Sequence, residues 1–202
     1  CRIEMQELSE NAYYNAAVER GIDRLNPETG QMTRVCLLDS EEKQMWGSWS
    51  VVDGAGSCLV LARTVFPEGF TREDYMDDAA WSDNYQRSSE EYALLNVRDG
   101  SLQVCYTLPH DPYYTDALQD GMLYRLAEGD NRLIQVNLLT GEESVLAESD
   151  MLRGCTVWDA FDEAVELRNE QELLFVSLRD GSVSCSGLTD LTMGWPLEIR
   201  AE

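Results

Sequence analysis

The sequence predicts an all-β fold built from four repeats of about 40 residues, each a small antiparallel sheet. Two observations carry that reading. Four six-residue segments align without gaps: Leu25-Asn26-Pro27-Glu28-Thr29-Gly30, Leu95-Asn96-Val97-Arg98-Asp99-Gly100, Val136-Asn137-Leu138-Leu139-Thr140-Gly141 and Val176-Ser177-Leu178-Arg179-Asp180-Gly181. A returning segment follows each glycine, with Val35-Cys36, Val104-Cys105 and Val145-Leu146 in the first three and Ser184-Cys185 in the fourth. A strand, a tight turn with Gly at a positive φ, and a second strand satisfy both patterns.

Each unit is expected to hold four short strands. In the second, Ser48 to Asp53 and Ser57 to Arg63 flank Gly54-Ala55-Gly56; in the third, Gly121 to Ala127 and Arg132 to Leu138 flank Glu128-Gly129-Asp130-Asn131, and Glu142 to Ala147 returns. Val157 to Leu167 also carries Trp158, Phe161 and Val165 at helical spacing, and the repeat alignment assigns it to strand, turn, strand. Gly100, Gly141 and Gly181 stand 41 and 40 residues apart, but Gly30 and Gly100 are separated by 70. Trp49-x-x-x-Asp53 and Trp158-x-x-x-Asp162 form a second landmark, and it assigns the same excess to the second repeat. The segment 64–90, acidic, aromatic and without alternation, is read as an inserted loop within a single domain spanning 1–202. Trp49 and Trp158 are expected to fill equivalent wedges between neighbouring sheets.

These residues resemble the blades of bacterial β-propellers, similar to the quinoprotein-like and WD40-like repeat families. The resemblance implies a blade architecture and a loop face that binds ligands. The sequence lacks the Trp-Asp strand ends of the WD40 group and the docking signature of quinoproteins, so no family activity is carried over. After Gly181 the chain still offers Trp195-Pro196-Leu197-Glu198-Ile199 as an opening strand. Either it closes a small ring against Arg2 to Gln6, or the chain is a piece of a larger, incomplete ring, which is the favoured reading.

Charge narrows the partners. Fifteen Lys plus Arg against 38 Asp plus Glu leave a net charge of -23, a poor surface for nucleic acid or anionic lipid. No apolar run is long enough to span a membrane as a helix. Six single cysteines and one histidine leave a zinc site without its ligand pairs, and no cofactor fingerprint appears. Cys36, Cys105 and Cys185 take nearly equivalent places in three repeats and read as small core residues. The chain starts at Cys1, which fits a lipid-modified mature terminus and leans the localisation towards an extracytoplasmic one.

For chemistry, His110 is the one histidine, in Pro109-His110-Asp111-Pro112, and is expected in a loop. Asp74, Asp77, Asp78 and Asp83 are weak candidate oxygen ligands for Ca²⁺, because their spacing does not match a calcium loop; no metal is assigned. Phe70, Tyr75, Trp81 and Tyr85 lie in the same insertion, where they form either a satellite core or a contact surface for a protein or a sugar ring. A non-catalytic interaction or ligand-binding domain ranks first. A carbohydrate-active hydrolase or lyase with converging carboxylates, and a structural repeat of a larger cell-envelope protein, are the alternatives.

Overall fold

The computed structural model describes residues 20–39, 47–110, 115–127, 129–170 and 172–186. About 55% of these residues are strand and 11% helix, so the chain is all-β and propeller-like. Among the described residues fourteen strands, all antiparallel where their pairing is given, make four sheets. Sheet I is β1 (Arg20–Leu25) and β2 (Met32–Asp39); sheet II is β3 (Ser50–Ala55), β4 (Cys58–Val65), β5 (Ser89–Asn96) and β6 (Leu102–Pro109). Sheet III is β7 (Thr115–Gln119), β8 (Met122–Leu126), β9 (Arg132–Asn137) and β10 (Glu142–Glu148). Sheet IV is β11 (Thr156–Ala160), β12 (Ala164–Arg168), β13 (Leu173–Ser177) and β14 (Val183–Cys185), with strands in sequence order as in sheets II and III.

The repeated turn has a complete hydrogen-bond account. The carbonyls of Asn26, Asn96, Asn137 and Ser177 each accept from the glycine four residues on, at 2.7–2.9 Å. Their side-chain oxygens accept the N–H two residues on, from Glu28, Arg98, Leu139 and Arg179. Thr and Asp interchange at the fifth position because either oxygen can accept the N–H beyond the glycine: Thr29 from Gln31, Asp99 from Ser101, Thr140 from Glu142 and Asp180 from Ser182. The motif therefore encodes the turn itself.

Two of the turns also fix packing. Gly100 has a φ of +74°, and a Cβ there would stand 2.2 Å from the Val35 carbonyl oxygen in β2; Gly181, at +68°, would meet Leu146 in β10 at 2.1 Å. Val35 and Leu146 both stand five residues beyond their own turn glycine, so the same approach occurs twice. Gly141, at +75°, has open space around it.

Strand position in the sheet decides burial. Val60 and Leu61 of β4, Leu123 and Tyr124 of β8, and Val165 to Leu167 of β12 are buried in succession. Successive side chains point to opposite faces, so these second strands are covered on both sides and read as near-continuous apolar runs. Glu166 is tolerated among them because Arg168 donates to its carboxylate. The outer strands β6, β10 and β14 are largely exposed.

The residues group into two compact units: Cys1–Pro112 with Gln119–Met122 and Asn137–Glu142, and the remaining Tyr113–Leu118, Leu123–Val136 and Glu143–Glu202. In the first, Trp49, Leu61, Ala93 and Leu95 form a core cluster against which Ile22, Cys36 and Leu38 of sheet I pack. Arg63 lies 4.4 Å above the Trp49 ring and pairs with Glu91 at 2.7 Å. Trp49 thus fills a wedge between sheets, as expected from the repeat.

Trp158 does not. It is 56% exposed under the guanidinium of Arg168, whereas Trp49 is 5% exposed. The equivalence fails by register. A bulge falls between Val51 and Asp53 against β4, and the same bulge falls between Val157 and Asp159 against β12. Asp53 and Asp159 each accept the next residue's N–H, from Gly54 at 2.7 Å and Ala160 at 2.8 Å. Asp159, not Asp162, is the counterpart of Asp53, and Trp158 takes the place of Val52, itself 44% exposed.

The segment 64–90 is also corrected. Thr64 and Val65 belong to β4 and pair with Glu90 and Ser89 of β5. Between these strands lie two short helices, α1 (Arg72–Met76) and α2 (Asp78–Gln86), not an open loop. In the inner hairpin of sheet II the turn is Gly56-Ser57, because Ala55 still pairs with Cys58. Cys1, Arg2 to Gln6, Asp111, Pro112, Glu128 and the Trp195 to Ile199 strand lie outside the described residues.

Two substitution pairs test this packing. Gly141→Ala is expected to cost about 1–2 kcal/mol from its left-handed backbone alone, and Gly181→Ala clearly more, since a carbonyl must also move. Trp49→Ala should cost about 3–5 kcal/mol and Trp158→Ala under about 1 kcal/mol in urea unfolding. Equal losses within either pair would contradict the register given above.

Candidate functional site

The insertion is built from caps. Thr71 opens α1 with a capping box: its hydroxyl accepts the Asp74 N–H, and the Asp74 carboxylate accepts the Thr71 N–H at 2.8 Å and hydroxyl at 2.7 Å. The Asp77 N–H bonds the carbonyls of Glu73 and Asp74 to close α1, while its carboxylate accepts from Ala80 at 2.8 Å to open α2. Asp83 pairs with Arg87 one turn on, at 2.9 Å. Asp78 lies in the first turn of α2, exposed. Three of the four candidate calcium ligands are thus hydrogen-bond or ion-pair partners within the helices. Among the described residues no three His, Cys, Asp or Glu side chains gather as a metal centre would need.

The aromatic residues form one stack rather than separate contacts. Phe70 stacks on Phe66 with centroids 4.3 Å apart, and Phe66 tilts towards Tyr85 at 6.2 Å. Tyr85 stacks on Trp81 at 4.7 Å and meets His110 at 4.0 Å. Aromatic pairs at these separations add to the energy of area burial, so the stack ties α2 to the end of sheet II. Tyr75 is half-buried on α1. Burial raises the Tyr85 hydroxyl above its usual pKa, and the charge of Glu90 raises it further.

His110 supports the stack from the sheet side. Its N–H donates to the Ser88 carbonyl at 2.8 Å, its side chain is 7% exposed, and its Nδ1 stands 3.5 Å from a Glu90 carboxylate oxygen. The residue is a packing element at the strand end, beyond the loop role its two flanking prolines suggest. Phe66, Ser88 and Glu90 complete this cluster and escaped sequence reasoning. Their signal is only positional, since each lies at or just beyond the end of the paired segments Cys58 to Val65 and Ser89 to Asn96.

The thiols differ in surroundings. Cys105 is half-buried and donates to the Tyr92 carbonyl, Cys155 is buried, and burial pushes both up from the ordinary thiol value. That is opposite to the shift a reactive thiolate needs. Cys185 is exposed on β14, which corrects its reading as a core residue; among the described residues the buried thiol is Cys155, which stands where the register puts Trp49 in sheet II.

One pH effect follows from the caps and turns. Hydrogen bonds from Thr71, Ser101 and Ser182 hold the carboxyls of Asp74, Asp99 and Asp180 below the usual carboxylate value. Groups depressed in the folded state add stability that is complete above about pH 4 and is lost as pH falls through their lower folded values. Melting midpoints between pH 6 and 2 should therefore fall more steeply for the parent chain than for Asp99→Ala with Asp180→Ala. Parallel curves would refute this.

No protein-family model matches the sequence, and no curated protein matches it. Among solved structures, the chain is similar to an oligogalacturonate lyase in complex with manganese, at 14% identity and a TM-score of 0.52 over 83% of this chain. It also aligns with an oligogalacturonate lyase from Vibrio parahaemolyticus, at 13% identity and a TM-score of 0.40 over 89% of this chain and 62% of that one. A chain of the nidogen/laminin complex aligns at 10% identity and a TM-score of 0.37 over 84% of this chain and 72% of its own. The first likeness shows the propeller-like fold alone, and this chain spans 47% of that lyase's length.

Proposed function

We propose that the chain is a non-catalytic interaction domain that receives a basic, partly apolar protein segment on the outer side of the α1–α2 insertion. The observation that carries the reading is the exposed pair Met76, at 61%, and Trp81, at 36%, among exposed Glu73, Asp77 and Asp78. Apolar anchors within a charged rim are the usual composition of a protein contact surface. Trp81 is held by its stack on Tyr85, so little side-chain freedom is lost on binding. A net charge of -23 favours approach by a cationic partner and disfavours an acidic sugar chain.

The test is titration of the full chain with basic amphipathic peptides, followed by fluorescence and calorimetry. Trp81→Ala is expected to weaken binding by about tenfold or more, as loss of a central aromatic anchor does, and added salt should slow association. In parallel, neutral and acidic oligosaccharides, oligogalacturonate included, are incubated with the chain and their products analysed. Cleavage of any of them would replace this reading with the carbohydrate-active one.

A further inference from the structure

We infer that the partner meets Trp81 with an arginine, whose guanidinium stacks on the exposed face of the indole while Asp78 accepts its N–H groups. This rests on the reading of the α1–α2 insertion as a contact surface for a basic segment, and it names the residue that the segment must offer. The inference starts from the protein's other tryptophans. Arg63 lies over the Trp49 ring at 4.4 Å while its Nε and Nη2 donate to Glu91, at 2.9 and 2.7 Å. Arg168 lies over the Trp158 ring at 4.0 Å while its Nε donates to Glu166. In two sheets, then, one guanidinium serves an indole face and a carboxylate together, because its plane stacks while its edge donates.

Trp81 has two of the three parts of that arrangement. Its ring lies 4.7 Å from Tyr85 and within 13° of parallel, so its 36% exposure falls on the opposite face and the ring edge. Asp78 stands three residues before it on α2, a spacing that makes side chains neighbours, with Cβ atoms about 5–6 Å apart. The acids of the insertion are not equivalent. Asp74 is engaged by Thr71, Asp77 by the Ala80 N–H and Asp83 by Arg87. Asp78 is exposed and, among the described residues, has no hydrogen-bond or ion-pair partner. No guanidinium of the described residues lies over Trp81, since Arg87, one turn beyond Asp83, is held by Asp83 and Asn84. A lysine would answer the charge of Asp78, but its compact, strongly hydrated ammonium covers an indole face less well than a planar guanidinium does.

The probes are basic amphipathic peptides, identical except that one central position is arginine, lysine or citrulline, titrated into the full chain while the Trp81 indole N–H resonance is followed. The arginine peptide should bind about fivefold more tightly than the lysine one, and the citrulline peptide, planar but uncharged there, more weakly than either. Asp78→Asn, a change at an exposed position, should abolish the preference for arginine over lysine. Glu142→Gln, which removes the same charge from an exposed position of β10, should leave that preference in place. Equal affinity of the parent chain for the arginine and lysine peptides, or a preference that survives Asp78→Asn, would overturn this inference and leave the contact surface standing. Failure of every peptide to bind would overturn both.

Discussion

A strand whose side chains are buried on both faces cannot stand alone, and the second strand of each four-stranded sheet in this protein is such a strand. Val60 and Leu61, Leu123 and Tyr124, and Val165 and Leu167 need apolar cover on opposite sides at once. Covering them requires sheets stacked face to face, which is why a repeat of this kind is of little use as a single copy. The outer strands carry no such demand and are largely exposed. The glycine turns then set how near one sheet comes to the next, because Gly100 and Gly181 let a carbonyl approach where a methyl group would stand.

The α1–α2 insertion leaves β4 and β5 paired to their last residues, so it adds surface without disturbing the sheet. Its acids hold its own helices in place, and its aromatic rings fasten it to the sheet through His110. This leaves Met76 and Trp81 exposed on the insertion.

The repeat was legible because its turn chemistry is local: an Asn oxygen, a Thr or Asp oxygen and a positive-φ glycine are all specified within six residues. The all-β class and the strand-turn-strand reading of Val157 to Leu167 rest on that locality. The Trp-Asp landmark misled because the same Trp-x-x-x-Asp spacing recurs three residues out of register: both sheets carry the same bulge, which matches Asp159 to Asp53 and leaves Trp158 on the exposed position of Val52. The helices escaped notice because five and nine residues give too short a period, and no apolar stripe runs along α2. Their caps, Thr71 with Asp74 and Asp77 with Ala80, were nevertheless written in the sequence as acids that invited a calcium reading. Phe70, Trp81 and Tyr85 were singled out by composition and His110 as the one histidine, but their joining with Phe66 in one stack was not legible, since contact across a sheet end has no sequence spacing.

Asp77 serves two helices with one residue, ending α1 through its N–H and starting α2 through its carboxylate. Neither helix is long enough to persist in water by itself. Because they share this residue, fraying at one helix withdraws the cap from the other, and the pair gains or loses its order as one cooperative element. Amide hydrogens of Tyr75, Asp77 and Trp81 would then exchange through the same opening event, at a rate set apart from that of the sheet below.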